Sequence, residues 1–169
     1  DRLSTDFGIM DKPLSWIKSY LGGRTFFVRV GQSNSATVSS LSGVPQGSVI
    51  GQILFTAYVS PIGRLMQSQG VGYHCYADDT QLYTALNADR SGLARLEKCT
   101  SDLQNWCWQN DLLLNPDKSE VIWFGTRQRL HNLPSSVPVA GSNIPVSATV
   151  KTLGVTLDST LSYTAHVNN

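Results

Sequence analysis

Val71-Gly72-Tyr73-His74-Cys75-Tyr76-Ala77-Asp78-Asp79-Thr80-Gln81-Leu82-Tyr83 is the stretch on which the fold turns. Two runs rich in β-formers, 71–76 and 80–83, flank Ala77-Asp78-Asp79, which predicts a hairpin with two carboxylates at its tip. A tight turn pushes Asp side chains out of the core toward solvent, where a metal ion and a substrate can reach them. Phosphoryl transfer needs charge neutralised on the attacking oxygen, the reacting phosphate and the leaving group. Two divalent ions roughly 3.5–4 Å apart, held by carboxylates, do this. Mg²⁺ prefers hard oxygen ligands and takes few of them from protein, so two or three Asp suffice. Asp is also frequent in turns for purely local hydrogen bonding, so the pair alone leaves both readings open.

Working outward, residues 91–110 predict a long helix, with Leu93, Leu96, Cys99 or Thr100, Leu103 and Trp106 recurring at three- and four-residue steps and Ser91 placed to cap it. Upstream, 50–69 predicts a helix with Ile53, Leu54, Ala57, Tyr58, Ile62 and Leu65 inward, kinked or split by Pro61 and ended by Gly70. The loop before it is Gly43-Val44-Pro45-Gln46-Gly47-Ser48. Residues 25–30 and 36–41 predict one hairpin around a turn at 31–35. Residues 13–21 predict a helix that Pro13 starts and Gly22-Gly23 stop. Downstream, 120–124 and 150–157 predict two single strands, 126–148 is turn-rich, and a helix begins after Ser162. The expectation is an α+β fold, with an antiparallel sheet and helices packed on one face.

Bulk properties constrain partners. The chain has 169 residues, 41% of them hydrophobic and 15% charged, which suits one domain with a real core. Thirteen Lys and Arg against 12 Asp and Glu leave a net charge of +1. A complete protein gripping a duplex needs a basic excess. By composition the chain either does not bind nucleic acid or lacks the basic segments that would. Cys75, Cys99 and Cys107 form no CxxC, and His74, His131 and His166 do not stand at zinc spacing. The thiols are read as reduced and intracellular. No apolar run approaches the roughly 20 residues that span a bilayer. Asp6-Phe7-Gly8 spells a kinase tripeptide without its companion loops. Trp106, Trp108 and Trp123 read as packing residues, and Arg127 and Arg129 as a solvated pair.

Taken with its neighbours, Tyr76-Ala77-Asp78-Asp79 resembles the catalytic box of reverse transcriptases. The 43–55 stretch resembles the second palm motif of that family, a PQG loop opening a helix. Asn115-Pro116-Asp117-Lys118-Ser119-Glu120 resembles the next motif, and Lys151-Thr152-Leu153-Gly154-Val155-Thr156-Leu157-Asp158 the box leading to the thumb. The segment from Arg2 to Tyr20 resembles the stretch after the first palm motif. The four motifs stand in order and cover most of the chain, closer to non-LTR (LINE-type) retrotransposons of animals than to retroviral or group II intron enzymes.

The resemblance implies a partial reverse transcriptase domain over 1–169, a polymerase palm with fingers and thumb largely missing. It implies an RNA-directed DNA polymerase working by two-metal nucleotidyl transfer with Mg²⁺ or Mn²⁺ on an RNA template, a DNA primer and dNTPs. Asp78 and Asp79 would be the metal-holding catalytic pair. Lys118 would protonate leaving pyrophosphate, or is an ordinary exposed lysine. Pro45, Gln46 and Gly47 would lie against template or nucleotide, where glycine lets backbone approach closely. Tyr76 would lie against the primer end, or packs on the sheet. Gln52 departs from the family, which often has proline there. The first-motif Asp and the ribose-screening aromatic would lie upstream of residue 1, in other segments of the same polyprotein, leaving this chain inactive alone. The other class is a non-enzymatic relic of a mobile element with at most weak nucleic-acid binding. No membrane partner is expected, and the parent element would be cytoplasmic and nuclear.

Overall fold

The computed structural model describes residues 2–45, 47–86 and 91–168. The chain divides into two compact units, Asp1–Pro61 and Ile62–Asn169.

In the first unit, α1 (Arg2–Thr5) precedes α2 (Asp11–Leu21). Pro13 sits in the first turn of α2, where a missing N–H costs nothing. The Gly22 N–H closes onto the Lys18 carbonyl at 2.9 Å, and Gly23, at φ +62°, turns the chain away. Four two-residue strands follow, β1 (Thr25–Phe26), β2 (Arg29–Val30), β3 (Ser33–Asn34) and β4 (Val38–Ser39). They form the expected hairpin in interrupted form: β2 pairs with β3 across Gly31-Gln32, and β1 pairs with β4. Between the two ladders, residues 27–28 face residues 35–37, so the return strand carries one extra residue and the register slips as at a bulge. The predicted turn at 31–35 is therefore shorter than expected.

The predicted 50–69 helix is split, as Pro61 requires, into α3 (Gly51–Val59) and α4 (Pro61–Ser68). Its inward face matches the expected one only in part. Ile62 is buried as expected, whereas Ile53 is 67% exposed, Tyr58 is also exposed, and Val59 and Met66 are buried instead. Ser60 keeps helical backbone angles, φ −51° and ψ −33°. In the first unit Ile53 lines an open apolar cleft with Leu3, Phe7, Trp16 and Ile17.

The second unit is built on hairpins and one long helix. β5 (Gly72–Tyr76) and β6 (Asp79–Tyr83) form the predicted antiparallel pair. α5 (Ser91–Gln109) follows the predicted bounds, with Ser91 as its first helical residue. Its Cys99, Thr100, Leu103 and Cys107 are buried, and it packs against β7 (Ser136–Val139), which pairs with β8 (Ser142–Pro145). The Thr100 hydroxyl accepts the Ala140 N–H at 3.2 Å inside this contact. The predicted single strand at 150–157 is instead a hairpin, β9 (Thr149–Thr152) with β10 (Val155–Asp158). Leu153 and Gly154 have φ of +47° and +84°, the double positive φ of a type I′ turn. Ala140-Gly141 turns β7 into β8 with the same signs. The predicted strand at 120–124 reduces to one parallel bridge, Val121 to Val146, with the Trp123 indole N–H donating to the Pro134 carbonyl at 3.0 Å. A short helix, α6, is Arg127–Leu130, and the last, α7 (Thr164–Val167), packs on β10.

Helices and antiparallel strands thus alternate as the α+β reading expects. The strands, however, make five separate two-stranded sheets among the described residues, where one antiparallel sheet was expected. The chief strand partner of α5 is β7 and not the Asp-bearing hairpin.

One buried glycine fixes the start of α5. A Cβ on Gly92 would run into the Ala85 backbone carbonyl. Gly→Ala inside a helix ordinarily gains up to about 1 kcal/mol. Here Gly92→Ala is expected to destabilise by about 1–3 kcal/mol, the cost of overpacking against backbone. The midpoint of urea unfolding checks this, and a midpoint at or above wild type contradicts it.

Candidate functional site

Strand alternation sorts the β5–β6 hairpin into two faces. Tyr73, Cys75, Thr80 and Leu82 share one, and Gly72, His74, Tyr76, Asp79, Gln81 and Tyr83 the other. The first face meets α4. Gly63 has no side chain, and a Cβ there would lie 2.5 Å from the Tyr73 hydroxyl, so glycine admits the ring. The Gln67 amide donates to that hydroxyl at 3.4 Å. On the second face Tyr83 lies over Gly72 and stacks on His74, with ring centroids 5.7 Å apart. Gln81 donates from its side-chain amide to the Thr152 hydroxyl of β9.

The last pair before the turn is Tyr76 with Asp79, so Ala77 and Asp78 alone reverse the chain. Ala77 has φ +52°. A left-handed conformation costs a residue with a Cβ about 1–2 kcal/mol, so the turn is tight at some expense. Asp78 and Asp79 are both exposed, and neither has a hydrogen-bond or ion-pair partner among the described residues. Tyr76 is 68% exposed, so its ring is not consumed by packing on the sheet. The result is two unpartnered carboxylates and a phenol on one exposed tip.

The other sequence-predicted residues lie elsewhere. Lys118 is exposed at the end of a 3₁₀ turn, Pro116–Lys118, that the Asn115 side chain caps by accepting the Asp117 N–H at 3.1 Å. Among the described residues it makes no hydrogen bond or ion pair with Asp78 or Asp79. Pro45 and Gly47 belong to the first unit, both exposed, and Gln46 lies outside the described residues. Gly47, at φ +78°, needs the freedom of glycine. Gly51 is buried with no room for a Cβ beside the Ser48 hydroxyl.

Sequence reading missed Arg24. Its guanidinium donates to the carbonyls of Leu21 at 3.1 Å, Ser42 at 3.4 Å and Gly43 at 2.5 Å. It thereby ties the start of the Gly43-to-Gly47 loop to the end of α2. An Arg after a Gly-Gly helix stop carries no periodic signal, and its partners are 18 and 19 residues away. It also missed Gln81 and Thr152, which are 71 residues apart.

Two of the three cysteines are withdrawn from solvent, and Cys75 is exposed. Cys99 and Cys107 are buried, and desolvation pushes both thiols above their ordinary range; for Cys99 the Asp102 carboxylate adds to this and Lys98 opposes it. All three cysteines are free, as expected. The carboxylate pair offers hard oxygen donors of the kind a divalent cation takes. Among the described residues no group of three or more His, Cys, Asp and Glu is placed to hold a metal ion. The donor set thus fits in kind and supplies two ligands. No described helix is long and apolar enough to cross a membrane.

A family model described as reverse transcriptase (RNA-dependent DNA polymerase) matches residues 1–157. The probable RNA-directed DNA polymerase from transposon BS of Drosophila melanogaster is 30% identical over 156 residues, 89% of this chain. The RNA-directed DNA polymerase from the mobile element jockey of the same species is 30% identical over 159 residues, 90% of the chain. The probable RNA-directed DNA polymerase from its transposon X-element is 28% identical over 161 residues, again 90%. The chain spans 17% of the length of each of these relatives. No solved structure matches the chain.

Asp158, one residue past the matched stretch, is an acidic residue of a different kind. Its Oδ1 accepts the N–H groups of Thr160 at 3.0 Å and Ser162 at 3.1 Å and the Thr160 hydroxyl at 2.8 Å, while Oδ2 accepts the Ser162 hydroxyl at 2.8 Å. These bonds, the Ser162 N–H first and the Thr160 hydroxyl next, hold its carboxyl well below the usual range. A depressed folded-state value stabilises the fold above the ordinary value of 3.8 and loses that contribution as pH falls through the lowered one. Asp158→Ala is therefore expected to lower the urea midpoint at pH 7, with the gap to wild type shrinking as pH drops below about 4. A gap independent of pH down to about pH 2 would contradict this role.

Proposed function

The chain belongs to the reverse transcriptase (RNA-dependent DNA polymerase) family, and we propose that it contributes the metal-holding turn of the palm in a non-LTR retrotransposon polymerase. The observation that carries this is the β5–β6 tip, where Asp78 on the two-residue turn and Asp79 at the start of β6 stand exposed, with carboxylates that have no partner among the described residues. A carboxylate serving only the turn would accept local hydrogen bonds, as Asp158 does. Asp78 and Asp79 accept none among the described residues.

In this reading Asp78 and Asp79 hold Mg²⁺ or Mn²⁺, which when bound neutralises charge on the attacking and leaving oxygens of nucleotidyl transfer. Asp78 is the principal ligand and Asp79 the second carboxylate. Tyr76, exposed beside them, lies against the primer end. Pro45, Gln46 and Gly47 face the template or incoming dNTP, where glycine lets backbone approach closely. Lys118 protonates departing pyrophosphate as a general acid. The RNA template, DNA primer and dNTPs are the substrates.

Two ligands make a weak metal site, and the chain spans 17% of the relatives' length. The 169-residue chain by itself is therefore expected to extend no primer above background, with an RNA template, dNTPs and Mg²⁺ or Mn²⁺. In a longer polypeptide spanning the full length of the relatives, extension is expected. There Asp78→Ala should lower the rate at least about 100-fold, the scale set by misplacing reacting groups by 1 Å, and Asp158→Ala should leave the rate near wild type. Full activity of Asp78→Ala would overturn the assignment. Robust extension by the short chain would mean that another carboxylate completes the site.

A further inference from the structure

We infer that Gln81, through its hydrogen bond to Thr152, is a positioning residue that sets where the Asp78–Asp79 turn stands. The inference rests on reading that turn as the metal holder. An isolated two-stranded hairpin is marginal in water, so the placement of its tip depends on what grips its flanks. Nothing grips the tip directly: Asp78 and Asp79 have no partner among the described residues, and Ala77 holds a costly φ of +52°.

The flanks are held on both faces. Tyr73 is held against Gly63 and Gln67 of α4. On the opposite face Gln81 reaches Thr152. Gln81 lies two residues beyond Asp79 on the same face of β6, about 7 Å along the strand. Thr152 is a well-braced anchor. It pairs with Val155 as the last rung before the two-residue turn Leu153-Gly154, and its ladder runs four residues to Asp158. That end is braced in turn by the Asp158 hydrogen bonds and by α7. The bond therefore couples the flank of one hairpin to the closing rung of another. Without it the Asp-bearing tip loses its hold on that face, and the two carboxylates lose a common orientation toward one ion.

The test uses the 169-residue chain with Mn²⁺ as the probe. Paramagnetic broadening of the Asp78 and Asp79 amides reports metal binding, and amide exchange over residues 76–80 reports the tip. Gln81→Ala is expected to weaken Mn²⁺ binding about fivefold and to speed exchange at 76–80 by a similar factor, the effect of one lost hydrogen bond. Thr152→Val should match it, the double variant should be no worse than either single one, and Thr152→Ser, which keeps the hydroxyl, should retain wild-type values. Exchange in α5 should stay unchanged in all four, which separates loss of positioning from loss of fold. Wild-type affinity and exchange in Gln81→Ala, or additive losses in the double variant, would overturn the inference. A wild-type chain whose Asp78 and Asp79 amides ignore Mn²⁺ would overturn both the metal reading and the positioning role built on it; faster tip exchange in Gln81→Ala would then show a purely structural bond.

Discussion

The pairing of Tyr76 with Asp79 leaves two residues to reverse the chain, and that register governs what the second unit presents to solvent. A one-residue slip would exchange the faces of β5 and β6. Tyr73 would leave its slot beside Gly63, Tyr83 would leave Gly72, and Gln81 would turn away from Thr152. The register is fixed by mutually dependent fits. Two glycines are each cut to one tyrosine, and one amide reaches one hydroxyl. The left-handed Ala77 is the local cost of meeting those fits with the shortest possible turn.

The same features explain which parts of the molecule were legible in the sequence. The Asp-bearing hairpin, α2, α5 and the break at Pro61 each follow from signals within a few residues: alternation, three- and four-residue spacing, and glycine or proline punctuation. The 150–157 stretch reads as one strand because β-formers stand on both sides of Leu153-Gly154, and that pair lacks the Asn or Asp that usually marks a two-residue turn. Gly154 at φ +84° is the residue that makes it one. The 120–124 stretch has strand composition without a ladder, because a single bridge to Val146 takes its place. Composition reports the propensity to pair and is silent about whether a partner exists. In the stretch before Pro61 apolar residues stand on most sides of the helix, so their spacing alone does not single out the inward face.

For the candidate site, the sequence identified residue types and missed the contacts that hold them. Asp78, Asp79 and Tyr76 are contiguous, so a motif displays them. Arg24 and Gly43, or Gln81 and Thr152, meet only after the chain has folded. The two contacts have a common character. In each, a polar side chain stabilises a loop or hairpin that carries family-motif residues, and neither takes part in a regular ladder. Arg24 is also an example of a cation satisfied within the protein, on three carbonyl oxygens. Arg2 is another, donating to the Tyr58 carbonyl at 2.6 Å and lying over the Tyr58 ring. In a chain with 13 basic residues and a net charge of +1, such internal use lowers further what is available for phosphate.

Three acidic sites within the second unit show how one residue type is directed to different ends. Asp158 accepts four hydrogen bonds and is thereby committed to its turn, and those bonds hold its carboxyl below the usual range. Asp102 is committed to α5 and the end of α4, accepting from Lys98 at 2.6 Å and from the Gln69 amide at 2.7 Å. Asp78 and Asp79 have neither kind of commitment. Adjacent like charges on a tight turn repel each other, and among the described residues neither carboxylate has a cation or donor to offset the repulsion. Their acceptor capacity is left open, which is what the proposed role as holders of a hard cation requires. What a carboxylate is committed to therefore lies in the neighbours the fold provides, and Asp-Asp read as a dipeptide does not reveal it.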